Sequence, residues 1–132
     1  MTAMTREART VTISIGRGPE VVYAFVRDVP NLPRWAKGLC KGVRQVDRRW
    51  VLETAEGEVD FRFVMENPRG VLAHVVTVRP GVEVYVPMRV VANGEGSEVM
   101  LTVFRMEGMT DEAFSRDVGM VERDMAGLKA LL

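Results

Sequence analysis

Polar and apolar residues alternate near the start of the chain. Val11, Ile13 and Ile15 are apolar, and the residues between them are polar. This period of two predicts a strand with one buried face, because successive side chains of a strand point to opposite faces. The first nine residues are polar and are expected to form a tail, so residues 10–132 are predicted to make up one domain.

The apolar spacing then becomes helical. Between Pro19 and Val29 apolar residues recur every three or four positions, which predicts a short amphipathic helix with proline at its first position. Asn31 is a candidate cap for a second short helix that carries Trp35 and ends at Gly38. Two short helices are therefore expected to follow the first strand.

Strand patterns and turn signals fill residues 43–106. Pro80-Gly81 and Asn93-Gly94 are turn dipeptides of the kind that join antiparallel strands. Residues 82–92 are expected to form one strand, although Pro87 inside it implies an edge position or a bulge. Six strands joined by short connections predict an antiparallel sheet of about seven strands in total.

The clearest helix is at the end of the chain. Its six apolar residues follow one another at spacings of 4, 3, 4, 3 and 4: Phe114, Val118, Val121, Met125, Leu128 and Leu132. They form one apolar stripe, so the helix is expected to pack along its length on the sheet. Thr110 is the predicted N-cap, and Asp111 and Glu112 favour the positive end of the helix dipole.

This order of elements, a curved antiparallel sheet closed by a long C-terminal helix, is an α+β helix-grip fold. It resembles the START/Bet v 1-like (SRPBCC) superfamily. The segment PEVVYAFVRDVPNLPRWAKGL is similar to the helical opening of its bacterial polyketide cyclase/dehydrase-like branch. The segment VPMRVVANGEGSEVMLTVFRMEGMTDEAF is similar to an uncharacterised subgroup of that branch. The resemblance implies binding of lipids or polyketides, cyclisation and dehydration of polyketides, or regulatory and co-chaperone roles, and the fold does not choose among them.

Composition excludes several classes of function. The 18 basic residues equal the 18 acidic residues, whereas nucleic-acid binders carry an excess of cations, so no nucleic acid is expected as a partner. Cys40 is the only cysteine, which excludes an intrachain disulfide and a cysteine-rich zinc site. The chain contains no signal-peptide pattern, no apolar run long enough to insert into a membrane and no cofactor fingerprint. We expect a cytoplasmic protein without metal or cofactor.

His74, the only histidine, is the candidate for catalysis. It is expected in the middle of a strand, on the same face as Leu72 and Val76 and therefore in apolar surroundings. An imidazole in that position serves proton transfer, or it is a buried histidine with its hydrogen bonds satisfied. Both interpretations remain open at this point.

Two arginines lie within apolar strands. Arg89 is expected on the outer surface, opposite Met88, and Arg105 is expected near a strand end. Ion pairs with Asp60, Glu83 or Glu107 are the simpler explanation, and an anion anchor for a ligand is the alternative.

A curved sheet gripped by one helix leaves interior space, and aromatic and methionine side chains suit an apolar pocket. The predicted pocket residues are Trp35, Phe61, Phe63, His74, Tyr85, Met88, Thr102, Phe104, Phe114, Val118, Val121 and Met125. The resulting hypothesis is a domain that binds a small apolar ligand, lipid-like or polyketide-like, between the sheet and the C-terminal helix.

Two alternatives accompany this hypothesis. One is a cyclase/dehydratase-type enzyme with His74 transferring a proton and Tyr85 or Arg89 polarising a carbonyl. The other is a protein-interaction or regulatory module, which includes a homodimer formed through the helix face of Met120 and Leu131.

Overall fold

Eight strands and three α-helices make up the computed structural model, which describes residues 2–132. The strands are β1 (Ala8–Ile15), β2 (Gly42–Val46), β3 (Arg49–Thr54), β4 (Gly57–Phe63), β5 (His74–Arg79), β6 (Val82–Val86), β7 (Met88–Asn93) and β8 (Gly96–Phe104). The helices are α1 (Pro19–Arg27), α2 (Leu32–Trp35) and α3 (Asp111–Leu131), with a 3₁₀ turn at Val29–Asn31 between α1 and α2. The predicted α+β architecture is confirmed.

The strands form two antiparallel sheets instead of one. β1, β8 and β7 make a three-stranded sheet, and β2 to β6 make a five-stranded sheet in sequence order. The predicted strand 82–92 is interrupted at Pro87, so that β6 belongs to one sheet and β7 to the other. Thr102 N–H donates to Pro87 O at 3.0 Å, but proline has no N–H to donate in return, which ends the pairing at this position. This interruption raises the strand count from seven to eight.

Helix α3 closes the structure as its apolar stripe predicts. Phe114, Val118, Met125 and Leu128 are buried, and Thr110 caps the helix by accepting a hydrogen bond from Ala113 N–H. Among residues 2–132, no helix combines the length and the apolar character needed to cross a membrane. The stripe of α3 therefore packs against the interior of its own domain.

Two strand boundaries differ from the prediction. β1 begins at Ala8, two residues before the expected start of the domain, and Arg105 N–H donates to Glu7 O at 2.8 Å. β5 begins at His74, because Val71 makes only an isolated bridge and Leu72 N–H donates to Met88 O at 2.8 Å. His74 is thus the first residue of its strand and not a residue in the middle of one.

Exposed arginines along the five-stranded sheet are paired with carboxylates. The salt bridges are Arg49–Asp60 at 2.8 Å, Arg62–Glu83 at 3.0 Å and Arg44–Glu58 at 2.5 Å. Exposed pairs of this kind each contribute about 0–1 kcal/mol to stability. They compensate three arginines of this sheet, whereas Arg79 at the end of β5 is exposed and forms no salt bridge with the described residues.

Candidate functional site

An apolar cavity of about 390 Å³ lies between the two sheets, α2 and α3. Its apolar wall contains Val26, Leu32, Trp35, Ala36, Leu39, Phe61, Phe63, Val76, Val78, Val84, Val86, Met88, Leu101, Val103, Phe104, Met106, Met109, Met120, Val121 and Met125. Its polar wall contains Glu56, His74, Tyr85, Thr102, Asp117 and Asp124. A mostly apolar wall with a few polar groups, at this volume, is typical of a small-molecule site.

Ten of the twelve pocket residues predicted from the sequence line this cavity. Phe114 and Val118 do not: both are buried, at 5% and 3% exposure, in packing that leaves no free space beside them. The cavity therefore faces the part of α3 from Asp117 to Met125, and the first turns of the helix contribute to the core.

The polar groups of the cavity lie at different depths. Tyr85 is 54% exposed and belongs to the rim, whereas His74 is 7% exposed. The hydroxyl of Thr102 shares a 2.8 Å hydrogen bond with the hydroxyl of Thr10 on the neighbouring strand. His74 is thus the deep polar group, and the other two predicted polar groups are exposed at the rim or already paired.

The imidazole of His74 is held in an aromatic wall. Its ring centroid lies 5.0 Å from that of Phe61 and 5.7 Å from that of Phe63. Nδ1 lies 3.0 Å from Leu72 O, which accepts a hydrogen bond only if Nδ1 carries the hydrogen. Burial lowers the pKa of His74 to about 4, and the hydrogen bond to Leu72 offsets this only partly. The ring is therefore neutral near pH 7, with a free lone pair on Nε2.

Trp35 contributes an unpaired donor to the same region. Its side chain is 5% exposed and lines the cavity. Nε1 is the one buried side-chain nitrogen or oxygen without a hydrogen-bond partner among the described residues. An unpaired buried donor costs about 1–3 kcal/mol. The indole can regain this free energy only by moving so that Nε1 meets an acceptor.

Asp124 on α3 is a site residue that the sequence analysis missed. It is 9% exposed, lines the cavity and accepts a hydrogen bond from Gly38 N–H at 3.0 Å. Burial raises the pKa of its carboxyl group, an effect opposed by the backbone N–H groups of Gly38 and Leu39. A signal was present in the sequence, because Asp124 lies three residues after Val121 and four before Leu128, at the margin of the apolar stripe.

Cys40 lies close to this carboxylate. The thiol is buried at 2% exposure, and burial together with the charge of Asp124 raises its pKa to about 11. Since only the thiolate is strongly nucleophilic, Cys40 is an unreactive core residue.

The two residues of the helix face proposed for a homodimer, Met120 and Leu131, differ in their exposure. Met120 lines the cavity and packs against the turn after α2, so closely that a Cβ on Gly38 would lie 2.3 Å from its Cγ. On the same side of α3, a Cβ on Gly127 would lie 3.2 Å from Trp35 O. Leu131 remains 43% exposed. Met120 is therefore half-buried against its own chain, whereas Leu131 is exposed, and the homodimer through this face stays a prediction.

Neither of the two strand arginines lines the cavity. Arg89 is exposed, and its Nε donates to Arg69 O at 3.0 Å. Arg105 pairs with Glu7 at 3.2 Å and with Asp111, and its Nε donates to Met109 O at 3.0 Å. Ion pairing is thus the role of Arg105, although with partners other than the three expected, and Arg89 is held by a backbone carbonyl.

Two other depressions are open grooves. One runs along the exposed face of α3 from Asp111 to Arg123 and has no second wall. The other lies between α1 and β7 near the turn Asn67–Gly70. Within residues 2–132, no group of three or more histidine, cysteine or carboxylate side chains is placed to hold a metal ion. The apolar cavity between the two sheets, α2 and α3 is therefore the candidate site.

Comparison with known proteins places this geometry in context. The sequence profile of the family described as "Polyketide cyclase / dehydrase and lipid transport" matches residues 7–132. No curated protein matches the sequence.

Several solved structures have the same fold. The protein XoxI from Bacillus cereus superposes with a TM-score of 0.75 at 17% identity, over 94% of each chain. A START superfamily protein from Mycobacterium smegmatis gives 0.68 at 11% identity, over 93% of this chain and 94% of that one. Ara h 8.0201 gives 0.71 at 11% identity, over 96% of this chain and 97% of its own. At these identities the likeness establishes the fold alone.

Proposed function

The chain belongs to the polyketide cyclase/dehydrase and lipid transport family, and from this premise we propose that it binds a small apolar molecule, lipid-like or polyketide-like, in the cavity between the sheets and α3. The predicted resemblance to the START/Bet v 1-like superfamily is confirmed. The observation that carries the proposal is the cavity itself, about 390 Å³ with a mainly apolar wall. Since each water molecule occupies roughly 30 Å³ in the liquid, the cavity has the volume of about 13 water molecules.

We propose binding and not turnover as the primary activity. A general base is most effective when its pKa lies near the working pH, and the pKa of His74 is lowered to about 4. The rim hydroxyl of Tyr85 and the outward-facing Arg89 supply no partner for proton transfer at His74. The cyclase/dehydratase alternative has a family precedent, but neither Tyr85 nor Arg89, the groups expected to assist His74, forms a hydrogen bond with it.

The cellular setting is part of the same proposal. We propose that the ligand is met in the cytoplasm, that nucleic acid is not a partner, and that the chain needs neither metal nor cofactor to bind. The balanced charge, with 18 basic and 18 acidic residues, supports the proposal that nucleic acid is not a partner.

Native mass spectrometry of the purified protein, followed by organic extraction, tests the proposal. Val121→Phe adds volume at a half-buried position in the cavity wall, and Leu131→Phe introduces the same aromatic side chain at an exposed position on the same helix that does not line the cavity. We expect an additional apolar mass on the wild type and on Leu131→Phe, and a reduced or absent one on Val121→Phe.

Thermal melting of both variants checks that each is folded. The proposal is wrong if Val121→Phe retains the additional mass to the same extent as the wild type. It is also wrong if wild-type protein incubated with excess 2-acetyl-6-methylnaphthalene, an uncharged apolar probe of 14 non-hydrogen atoms, keeps the mass of the protein alone.

A further inference from the structure

We propose that the cavity selects an uncharged ligand that carries a hydroxyl group, that this hydroxyl donates its hydrogen to Nε2 of His74, and that lipids ending in a carboxylate are rejected. This inference rests on the proposed function and adds the chemical class of the ligand. It is carried by two independent features of the wall, its charges and the orientation of one imidazole.

The charges of the cavity wall disfavour an anion. Glu56, Asp117 and Asp124 line the cavity, whereas no lysine or arginine of the described chain does. Arginines that adjoin wall residues in sequence have other partners: Arg27 donates to Val64 O and lies over the Phe63 ring, Arg62 pairs with Glu83, and Arg105 pairs with Glu7 and Asp111. A carboxylate taken from water into an apolar site needs a cation or several donors to compensate it. Here it would meet carboxylates instead.

The deep end of the cavity offers an acceptor. The hydrogen of the His74 imidazole is on Nδ1, committed to Leu72 O at 3.0 Å. Nε2 therefore presents a lone pair, and it has no hydrogen-bond partner among residues 2–132. A lone pair attracts a donor such as a hydroxyl and repels a carbonyl oxygen, since both would then be acceptors.

The ring cannot readily reverse these roles. It packs against both Phe61 and Phe63, and a 180° flip would replace Nδ1, which faces Leu72 O, with a carbon that cannot donate this hydrogen bond. Protonation of Nε2 is opposed by the same burial, which lowers the pKa of His74 to about 4. The acceptor is thus fixed in place and uncharged over the ordinary range of pH.

Three naphthalene probes of equal size separate the two features. 6-Acetyl-2-naphthol is uncharged near neutral pH and carries the hydroxyl. 2-Acetyl-6-methylnaphthalene replaces that hydroxyl with a methyl group. 6-Hydroxy-2-naphthoic acid keeps the hydroxyl and replaces the acetyl group with a carboxylate. Calorimetric or fluorescence titration near neutral pH gives the three dissociation constants.

We expect wild-type protein to bind 6-acetyl-2-naphthol roughly tenfold more tightly than 2-acetyl-6-methylnaphthalene, the value of one hydrogen bond to an acceptor that has no partner within the protein. We expect 6-hydroxy-2-naphthoic acid to bind at least about a hundredfold more weakly than 6-acetyl-2-naphthol. This comparison requires no variant and so does not depend on the folding of a mutant.

His74→Asn assigns the hydrogen bond. The asparagine amide can still donate to Leu72 O from the position of Nδ1, but it has no group at the position of Nε2. The variant should lose the roughly tenfold preference for the hydroxyl probe over the methyl probe, so that the ratio of its two dissociation constants falls to about one.

Each outcome bears on a separate claim. Equal affinity of the wild type for the hydroxyl and methyl probes would overturn the role of His74 and leave the proposed function standing. Binding of the carboxylate probe as tightly as the acetyl probe would overturn the charge selection. If none of the three probes binds, both the inference and the proposed function fail.

Discussion

Oδ1 of Asp124 lies 3.0 Å from the backbone nitrogen of Gly38, and this hydrogen bond joins α3 to the turn that follows α2. Trp35, the last residue of α2, and Met125, the neighbour of Asp124, lie on the two elements so joined, and both line the cavity. A buried carboxylate thereby fixes the distance between two walls of the site.

The first prediction concerns the charge of that carboxylate. Burial raises the pKa of Asp124, so the folded state binds a proton more tightly than the unfolded chain, and ionisation at higher pH costs stability. Asparagine keeps an oxygen for Gly38 N–H without the buried charge. We expect Asp124→Asn to have a higher melting temperature than the wild type at pH 7, with the difference shrinking as the pH falls below the pKa of Asp124. A lower melting temperature at pH 7 would show that the bonds to the charged form outweigh its burial.

The second prediction is a pH dependence due to His74. Its pKa is about 4 in the folded protein and 6.5 ordinarily, so in that interval the unfolded chain holds a proton that the folded chain does not. The free energy of unfolding should have its full contribution from His74 above about pH 6.5 and should fall by roughly 3 kcal/mol as the pH drops to about 4.

Urea unfolding of the wild type and of His74→Asn between these pH values measures this dependence. Because His74 is the only histidine, the free energy of unfolding of the wild type should decrease relative to that of the variant on acidification. If the free energies of unfolding of the wild type and of His74→Asn change with pH in parallel, His74 is not buried in its neutral state.

The third prediction concerns the close packing of α2 and α3. A methyl group at Gly38 would lie 2.3 Å from Met120 Cγ and 3.1 Å from Asp124 Oδ1. We expect Gly38→Ala to lower the free energy of unfolding by roughly 1–3 kcal/mol, as overpacking does, and Met120→Ala in the same chain to recover part of the loss.

Gly16→Ala is the matched control, because nothing lies within 4 Å of a Cβ at that position. Its effect should be within about 0.5 kcal/mol. If Gly38→Ala is as harmless as Gly16→Ala, the two helices do not pack as closely as the structure indicates.

The sequence predicted features that depend on local pattern. The stripe from Phe114 to Leu132, the cap at Thr110 and the hairpin signalled by Asn93-Gly94 each follow from residue type and spacing, and all three are confirmed, with Gly94 and Glu95 as the turn residues. The proline at position 87 indicated a disturbed strand, but residue type alone does not say that β6 and β7 join different sheets. That outcome depends on which strand each segment pairs with, since β6 pairs with β5 and β7 pairs with β8.

The site was less accessible to sequence reasoning because it depends on contacts between distant residues. His74 was identified, but its tautomer follows from the position of Leu72 O, which exists only once β5 has its observed start. Periodicity placed Phe114 and Val118 on the same stripe as Val121 and Met125, yet it gives no information on where free space remains. Asp124 has a role only because the turn at Gly38 brings two N–H groups to it.

The central claim is that the cavity beside Trp35 accepts a small uncharged apolar ligand, and the two indole N–H signals in a ¹H–¹⁵N spectrum test it most directly. The chain has two tryptophans: Trp35 lines the cavity, and Trp50 on β3 does not. Trp35→Phe assigns the signals. On titration with 6-acetyl-2-naphthol we expect the Trp35 signal to move until the site is saturated and the Trp50 signal to stay in place. A Trp35 signal that does not move at saturating probe, or a Trp50 signal that moves instead, would contradict the assignment of the cavity as the ligand site.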